Sequence, residues 1–168
     1  MIPCSCSNDF SVWLLDDEPT VLRSLEELLV DAQFSVVTFT DPLIAESQLA
    51  ECSHFVVFVI DHDFSMTNSS GYAGYDFAQK VRSIHRLGRA APMIYLTARE
   101  SQENFSARKA SDPSNIPNIF MSKQEQARNP GLLKDAVANA QNYLWDLETS
   151  IDEHGLGLAI EIATDWRF

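Results

Sequence analysis

Short, predominantly apolar runs alternate along the chain with stretches of helical spacing. The runs cover residues 12–15, 34–39, 55–60, 92–96 and 118–121 and are rich in β-branched and aromatic residues. Strands half exposed to water would alternate apolar with polar, whereas continuous runs of this length fit strands of a parallel sheet covered on both faces. Between them, residues 19–33 carry Val21, Leu25, Leu28 and Ala32 at helical spacing behind a first-turn proline, Pro19. Asp41 followed by Pro42 reads as an N-cap and first helical residue, opening a second helix to about Cys52 with Leu43, Ile44, Leu49 and Ala50 inward. A third helix starts after Gly74 and turns Phe77, Val81 and Ile84 inward.

Residues 101–110 have few apolar positions and run into the breaker-rich SDPSNIPN, so a fourth helix there is expected to be short. A fifth, over residues 130–147, is better marked by Leu132, Leu133, Ala136, Val137, Ala140, Tyr143 and Leu144. Five alternating strand and helix units imply a doubly wound α/β fold with right-handed crossovers. Two stretches fall outside that scheme. FSMTNSSGYA, following the third strand, reads as a solvated loop. In the tail, Leu156, Leu158, Ile160 and Ile162 alternate as in a strand, yet the pairs 156/160 and 158/162 would also line a helix. The organisation expected is an N-terminal segment 1–8, one domain over 9–147 and an extension over 148–168.

With 168 residues, 45% of them apolar, the chain is long enough for one domain with a substantial core. Twelve Lys and Arg stand against 24 Asp and Glu, and a net charge of -12 opposes direct binding to nucleic acid or anionic lipid. No apolar run approaches the roughly 20 residues of a membrane-spanning helix. Three cysteines, an odd number, without a secretory signal indicate free thiols in the cytoplasm. Cys4 and Cys6 could form half of a metal site, but no second pair is read at ligand spacing, and they are expected to be an ordinary terminus.

In an open parallel sheet, ligands gather outside the carboxyl ends of the strands, where strand order reverses. The polar residues at those ends are Asp16, Asp17 and Glu18, then Asp61, His62 and Asp63, then Thr97 and Arg99, then Ser122 and Lys123. Any one of these aspartates or Thr97 could be a helix cap, and Lys123 a solvated charge. Together they make a carboxylate cluster with one hydroxyl and one ammonium, and crowded carboxylates invite a hard divalent cation such as Mg²⁺. One carboxylate can then attack phosphorus while ammonium and hydroxyl stabilise the phosphoryl oxygens.

The ordered motifs WLLDDEP, VFVIDHD, IYLTA and IFMSK, spread over residues 9–147, resemble the receiver domain of two-component response regulators. The resemblance implies a flavodoxin-like sheet of five parallel strands in the order 2-1-3-4-5, flanked by five helices, with a C-terminal extension. It implies that Asp61 is both the phosphoacceptor and one of the metal residues, and that Asp17 binds Mg²⁺ directly and Asp16 mainly through water. The Asp63 backbone carbonyl would complete the metal site, Thr97 and Lys123 would bind the phosphoryl group, and Phe120 would be the aromatic switch partner of Thr97. The implied partners are a sensor histidine kinase or phosphotransfer protein and a downstream protein target, with homodimer formation left open. The chain would act as a switch rather than as an enzyme.

Three departures stand out: Gln124 replaces the family's usual proline after the lysine, the loop after Asp61 is long, and the segment between Thr97 and Lys123 is extended. Asp63 and Arg99 could also pair across the site mouth and slow loss of the phosphoryl group. Two other readings compete. DHD resembles the nucleophile motif of haloacid dehalogenase-like phosphatases, although there the acidic metal pair normally follows the nucleophile, threonine and lysine in sequence. A receiver-like interaction module that is never phosphorylated would be the other.

Overall fold

The three central strands have no polar face, and that forces helices onto both sides of them. The computed structural model describes residues 10–61, 73–98 and 118–163. The strands are β1 (Phe10–Leu15), β2 (Val36–Phe39), β3 (Phe55–Asp61), β4 (Met93–Thr97) and β5 (Asn118–Ser122). They form one parallel sheet in the order β2-β1-β3-β4-β5. Every residue of β1, β3 and β4 is buried, while the edge strands β2 and β5 bury only Phe39 and Met121 among their described side chains.

Helices α1 (Pro19–Asp31), α2 (Pro42–Leu49) and α3 (Ala73–Ile84) make the crossovers. The chain moves one way from β1 to β2 and the other way afterwards, so right-handed connections place α1 on one face and α2 and α3 on the other. Accordingly, α2 packs against α3. After β5 come α4 (Lys123–Arg128), α5 (Gly131–His154) and α6 (Leu156–Ala163). The helix expected over residues 101–110 and the loop over 64–73 fall largely or wholly outside the described residues.

Local chemistry explains the helix ends. Asp41 accepts a hydrogen bond from the Leu43 amide at 2.8 Å and Pro42 occupies the first helical position, as the sequence predicts. At the end of α1, Gln33 adopts φ 68°. Its amide bonds to the Val30 carbonyl at 2.9 Å, and that of Phe34 to the Leu29 carbonyl at 3.0 Å. This reciprocal pair is a Schellman closure, which usually places glycine where Gln33 stands.

Several inward assignments shift. In α1 the buried stripe is Leu22, Leu25 and Leu29, with Val21 and Leu28 only half buried at its border. In α2 the core takes Pro42, Ala45 and Leu49, whereas Leu43 and Ile44 are 68% and 53% exposed and Ala50 also faces solvent. A short helix rich in apolar residues on all sides gives periodicity little to choose from, and Pro42 at its first position sets the face. Ile84 and Leu132 are likewise partly exposed. The tail resolves as helix: α5 continues to His154, Gly155 breaks it with φ 82°, and α6 folds back with Ala159 and Ala163 fully buried. Two alanines let α6 lie close against α5 and the 3-10 turn Gly88–Ala90. Tyr143 ties α5 to that turn by donating its hydroxyl to the Ala90 carbonyl at 2.8 Å.

The buried imidazole of His85 has a backbone partner on one ring nitrogen only. His85, 3% exposed, stands edge-on to Phe58 and accepts the Leu87 amide at Nδ1 at 3.2 Å, so its neutral form carries the proton on Nε2. Burial, then the charges of Arg86 and His54, lower its pKa from 6.5 to about 4. The unfolded chain therefore binds a proton between pH 6.5 and 4 that the folded protein refuses, and stability falls as pH drops through that window. By pH 4.5 this amounts to about 2–3 kcal/mol. His85→Gln is expected to flatten the decline of melting temperature between pH 6.5 and 4.5 relative to the parent; parallel curves would contradict the assignment. Gln33→Gly is expected to stabilise by about 0.5–1 kcal/mol in urea unfolding by relieving the left-handed strain.

Candidate functional site

Strand register alone brings the polar strand ends together. Leu15 lies opposite Ile60, Asp61 opposite Leu96 and Thr97 opposite Ser122. Asp16, Asp61, Thr97 and Lys123 thus leave β1, β3, β4 and β5 within one step of a common line across the carboxyl end of the sheet. The order reverses between β1 and β3, where the helices diverge to opposite faces and leave a crevice.

Carboxylate oxygens of Asp16, Asp17 and Asp61 all lie within 4.8 Å of one another. Asp16 and Asp61 are 1% and 3% exposed, and Asp17 is half buried. The Lys123 ammonium enters from the far side of the sheet, donating to Asp16 Oδ2 at 2.6 Å and lying 3.2 Å from Asp61 Oδ2. Burial pushes the Lys123 pKa down, but the hydrogen bond to Asp16 and the charges of Asp61 and Asp16 outweigh it, and the net shift is upward. The lysine therefore stays cationic. Asp16 also shapes the backbone that follows it, since its Oδ1 accepts the Glu18 amide at 2.9 Å and fixes the turn into α1 in place of a side-chain cap by Glu18.

Thr97 ends β4, fully buried at 1% exposure. Phe120 is half buried on β5, opposite Tyr95, and packs against the core. Asp63 and Arg99, with the ion pair expected between them, lie outside the described residues.

Sequence reasoning missed α4. Lys123 is its first residue, and Ser122 caps it by accepting the Gln124 amide at 3.2 Å. Gln124 in place of proline supplies that amide, and the signal was present: SKQE, with Glu125 three residues after Ser122, has the capping-box pattern. The added helix also borders an open pocket of about 350 Å³ against α1, lined by Thr20, Val21, Ser24 and Gln126 and flanked by Lys123.

No sequence-family profile matches the chain, and no curated protein sequence is similar to it. Solved structures are similar. A response regulator receiver protein from Sinorhizobium medicae aligns with TM-score 0.59 and 21% identity, over 79% of this chain and 94% of its own. A receiver domain protein from Clostridium thermocellum gives 0.60 and 22%, over 79% and 94%. The chemotaxis protein CheY4 of Vibrio cholerae gives 0.58 and 21%, over 77% and 97%. The fold is that of a response-regulator receiver domain. Nearly the whole of each neighbour is matched by about four fifths of this chain. Among the described residues, no helix is long and apolar enough to cross a membrane.

The donor set fits a hard cation. Three carboxylates supply oxygens at mutual distances a single ion can bridge, and their charge exceeds what one lysine neutralises. Replacing Lys123 by Met is expected to lower stability in chelator-treated protein by about 3 kcal/mol, because two buried carboxylates lose their cation. Mg²⁺ should then restore more stability to the variant than to the parent. A urea midpoint unchanged by the substitution would contradict the role of the ion pair.

Proposed function

We propose that the chain is a phosphoacceptor switch of a two-component signalling system, with Asp61 taking the phosphoryl group. The observation that carries this reading is the Lys123 ammonium bridging buried Asp16 and Asp61, with Asp17 alongside, at the sheet's crevice. In the transfer, an Asp61 carboxylate oxygen bonds to phosphorus as the phosphorus–nitrogen bond to a phosphohistidine breaks. The electron pair returns to the donor imidazole, and an aspartyl phosphate remains. The donor is a sensor histidine kinase or a phosphotransfer protein.

The residues divide the work. Asp16, Asp17 and Asp61, with the Asp63 backbone carbonyl, would hold Mg²⁺, which would supply countercharge to the phosphoryl oxygens. Lys123 is held beside Asp61, so its point charge is in place before the anion arrives and costs no reorganisation. Thr97 donates its hydroxyl to a phosphoryl oxygen. Its inward movement, with rotation of Phe120, biases a two-state surface read by a downstream protein. The chain turns over no substrate of its own: each phosphorylation event sets the switch once.

The test is the intact mass of the full chain after incubation with acetyl phosphate and Mg²⁺. One added phosphoryl group is expected in the parent, none in Asp61→Asn, and none with a chelator. No mass gain in the parent would favour a receiver-like module without phosphorylation. Multiple turnover of a phosphomonoester would favour the phosphatase reading.

A further inference from the structure

Helix α6 carries more apolar surface than its packing uses. Of its eight residues six are apolar and Glu161 alone is charged. Ala159 and Ala163, one turn apart and fully buried, set the side that meets α5 and the 3-10 turn Gly88–Ala90. Leu158 and Ile162 each stand about 100° round the helix from those alanines, again one turn apart. Leu158 is 49% exposed, Ile162 is half buried, and Leu156 at the head of the helix is 39% exposed. A helix that is apolar nearly all round is normally covered on more than one side, and here the second side faces solvent.

The charge around that ridge indicates what would cover it. From residue 135 to residue 163 the sequence holds six carboxylates, Asp135, Asp146, Glu148, Asp152, Glu153 and Glu161, and neither lysine nor arginine. All six are exposed. His154 is the one basic side chain in the stretch, with its Nδ1 3.8 Å from Glu153. The turn packed against α6 contributes a single cation, Arg89, so the balance near the ridge stays negative. Tyr143 of α5 bonds the same turn, and the side of α5 that bears it therefore looks toward α6. Asp146 and Glu153, three and ten residues further on, border that side. Such a field opposes an anionic lipid surface, a nucleic acid and a second copy of this acidic chain, and it attracts a cationic segment.

We propose that the outer side of α6 docks a cationic amphipathic helix of a partner protein. Apolar side chains of that helix lie against Leu158 and Ile162, and its lysines or arginines face the carboxylates of α5 and α6. Helices recognised in this way present apolar anchors three and four residues apart, and a polar rim fixes their register. The surface adjoins the turn before β4, at the opposite end of the sheet from Asp61, and its use requires no phosphoryl transfer.

The probe is a fluorescein-labelled peptide of leucine and lysine, about four turns long, with its leucines at helical spacing. Full-length protein is titrated into it and anisotropy is read. Control peptides keep the composition in scrambled order or replace lysine by glutamate. Saturation at one equivalent is expected, with affinity at least about tenfold above either control and falling as salt is raised. Leu158→Asn, at an exposed position, is expected to weaken binding at least about fivefold, whereas Leu43→Asn/Ile44→Asn, at the exposed pair on α2, changes it by less than about twofold. Asp146→Asn/Glu153→Gln should weaken binding about threefold and flatten its salt dependence, with the melting temperature near that of the parent. The proposal is overturned by a scrambled peptide that binds as tightly, or by equal losses at Leu158 and at the α2 pair. A dimer that Leu158→Asn dissociates would overturn it by giving the surface to a second copy. Tighter binding in Trp166→Ser/Phe168→Ser would overturn it by giving the surface to the chain's own last residues.

Discussion

A carboxylate pair taken out of water at the end of a parallel sheet needs a cation, and here that cation arrives on the neighbouring edge of the same sheet. Asp16 and Asp61 are almost wholly buried, and Lys123 bonds the first and neighbours the second. Removing the ammonium would leave two buried carboxylates without that partner, and breaking a buried ion pair costs several kcal/mol. Everything that positions the lysine follows from this demand. β5 has to finish level with β4, Ser122 has to end the strand, and the chain has to turn immediately into α4. Among the described residues the same arrangement sets three carboxylates against one ammonium, which makes the crevice receptive to a divalent ion.

Much of this was legible in the residues because the physics is local or periodic. Continuous apolar runs mark β1, β3 and β4, whose environment is uniform, and the polar residues that interrupt them fall at the strand ends. The Asp41–Pro42 start of α2 needs only its own neighbours to be recognised. Where two faces compete for apolar side chains, sequence spacing loses its grip. Leu43 and Ile44 look as fit for the core as Ala45, yet the small alanine is the one that lets α2 approach the sheet. The tail shows the same ambiguity. Its alternation of leucine and isoleucine satisfied both periods, and the choice came from Gly155 and from the two alanines that face α5. These are tertiary decisions, made by what is available to pack against.

At Gln124 the chain departs from the expected pattern, and the departure is informative. Where the receiver family usually has proline, this chain keeps an amide hydrogen and uses it to begin a helix from Ser122. Its capping pattern was readable, whereas the consequence, a pocket between that helix and α1 beside Lys123, required coordinates. The C-terminal extension is likewise no loose appendage. As far as Ala163 it lies against the turn before β4, and Tyr143, in the helix that leads into it, bonds the same turn.

The strand β3, seven residues from Phe55 to Asp61, sets a distance. At about 3.3 Å per residue, its two ends are separated by about 20 Å. Two unit charges at that spacing interact by less than about 1 kcal/mol at the effective dielectric of a protein. A negative group gained at the acidic end is thus electrically almost silent at the amino end of the sheet. Any cross-talk between them has to be mechanical, carried by the strand itself.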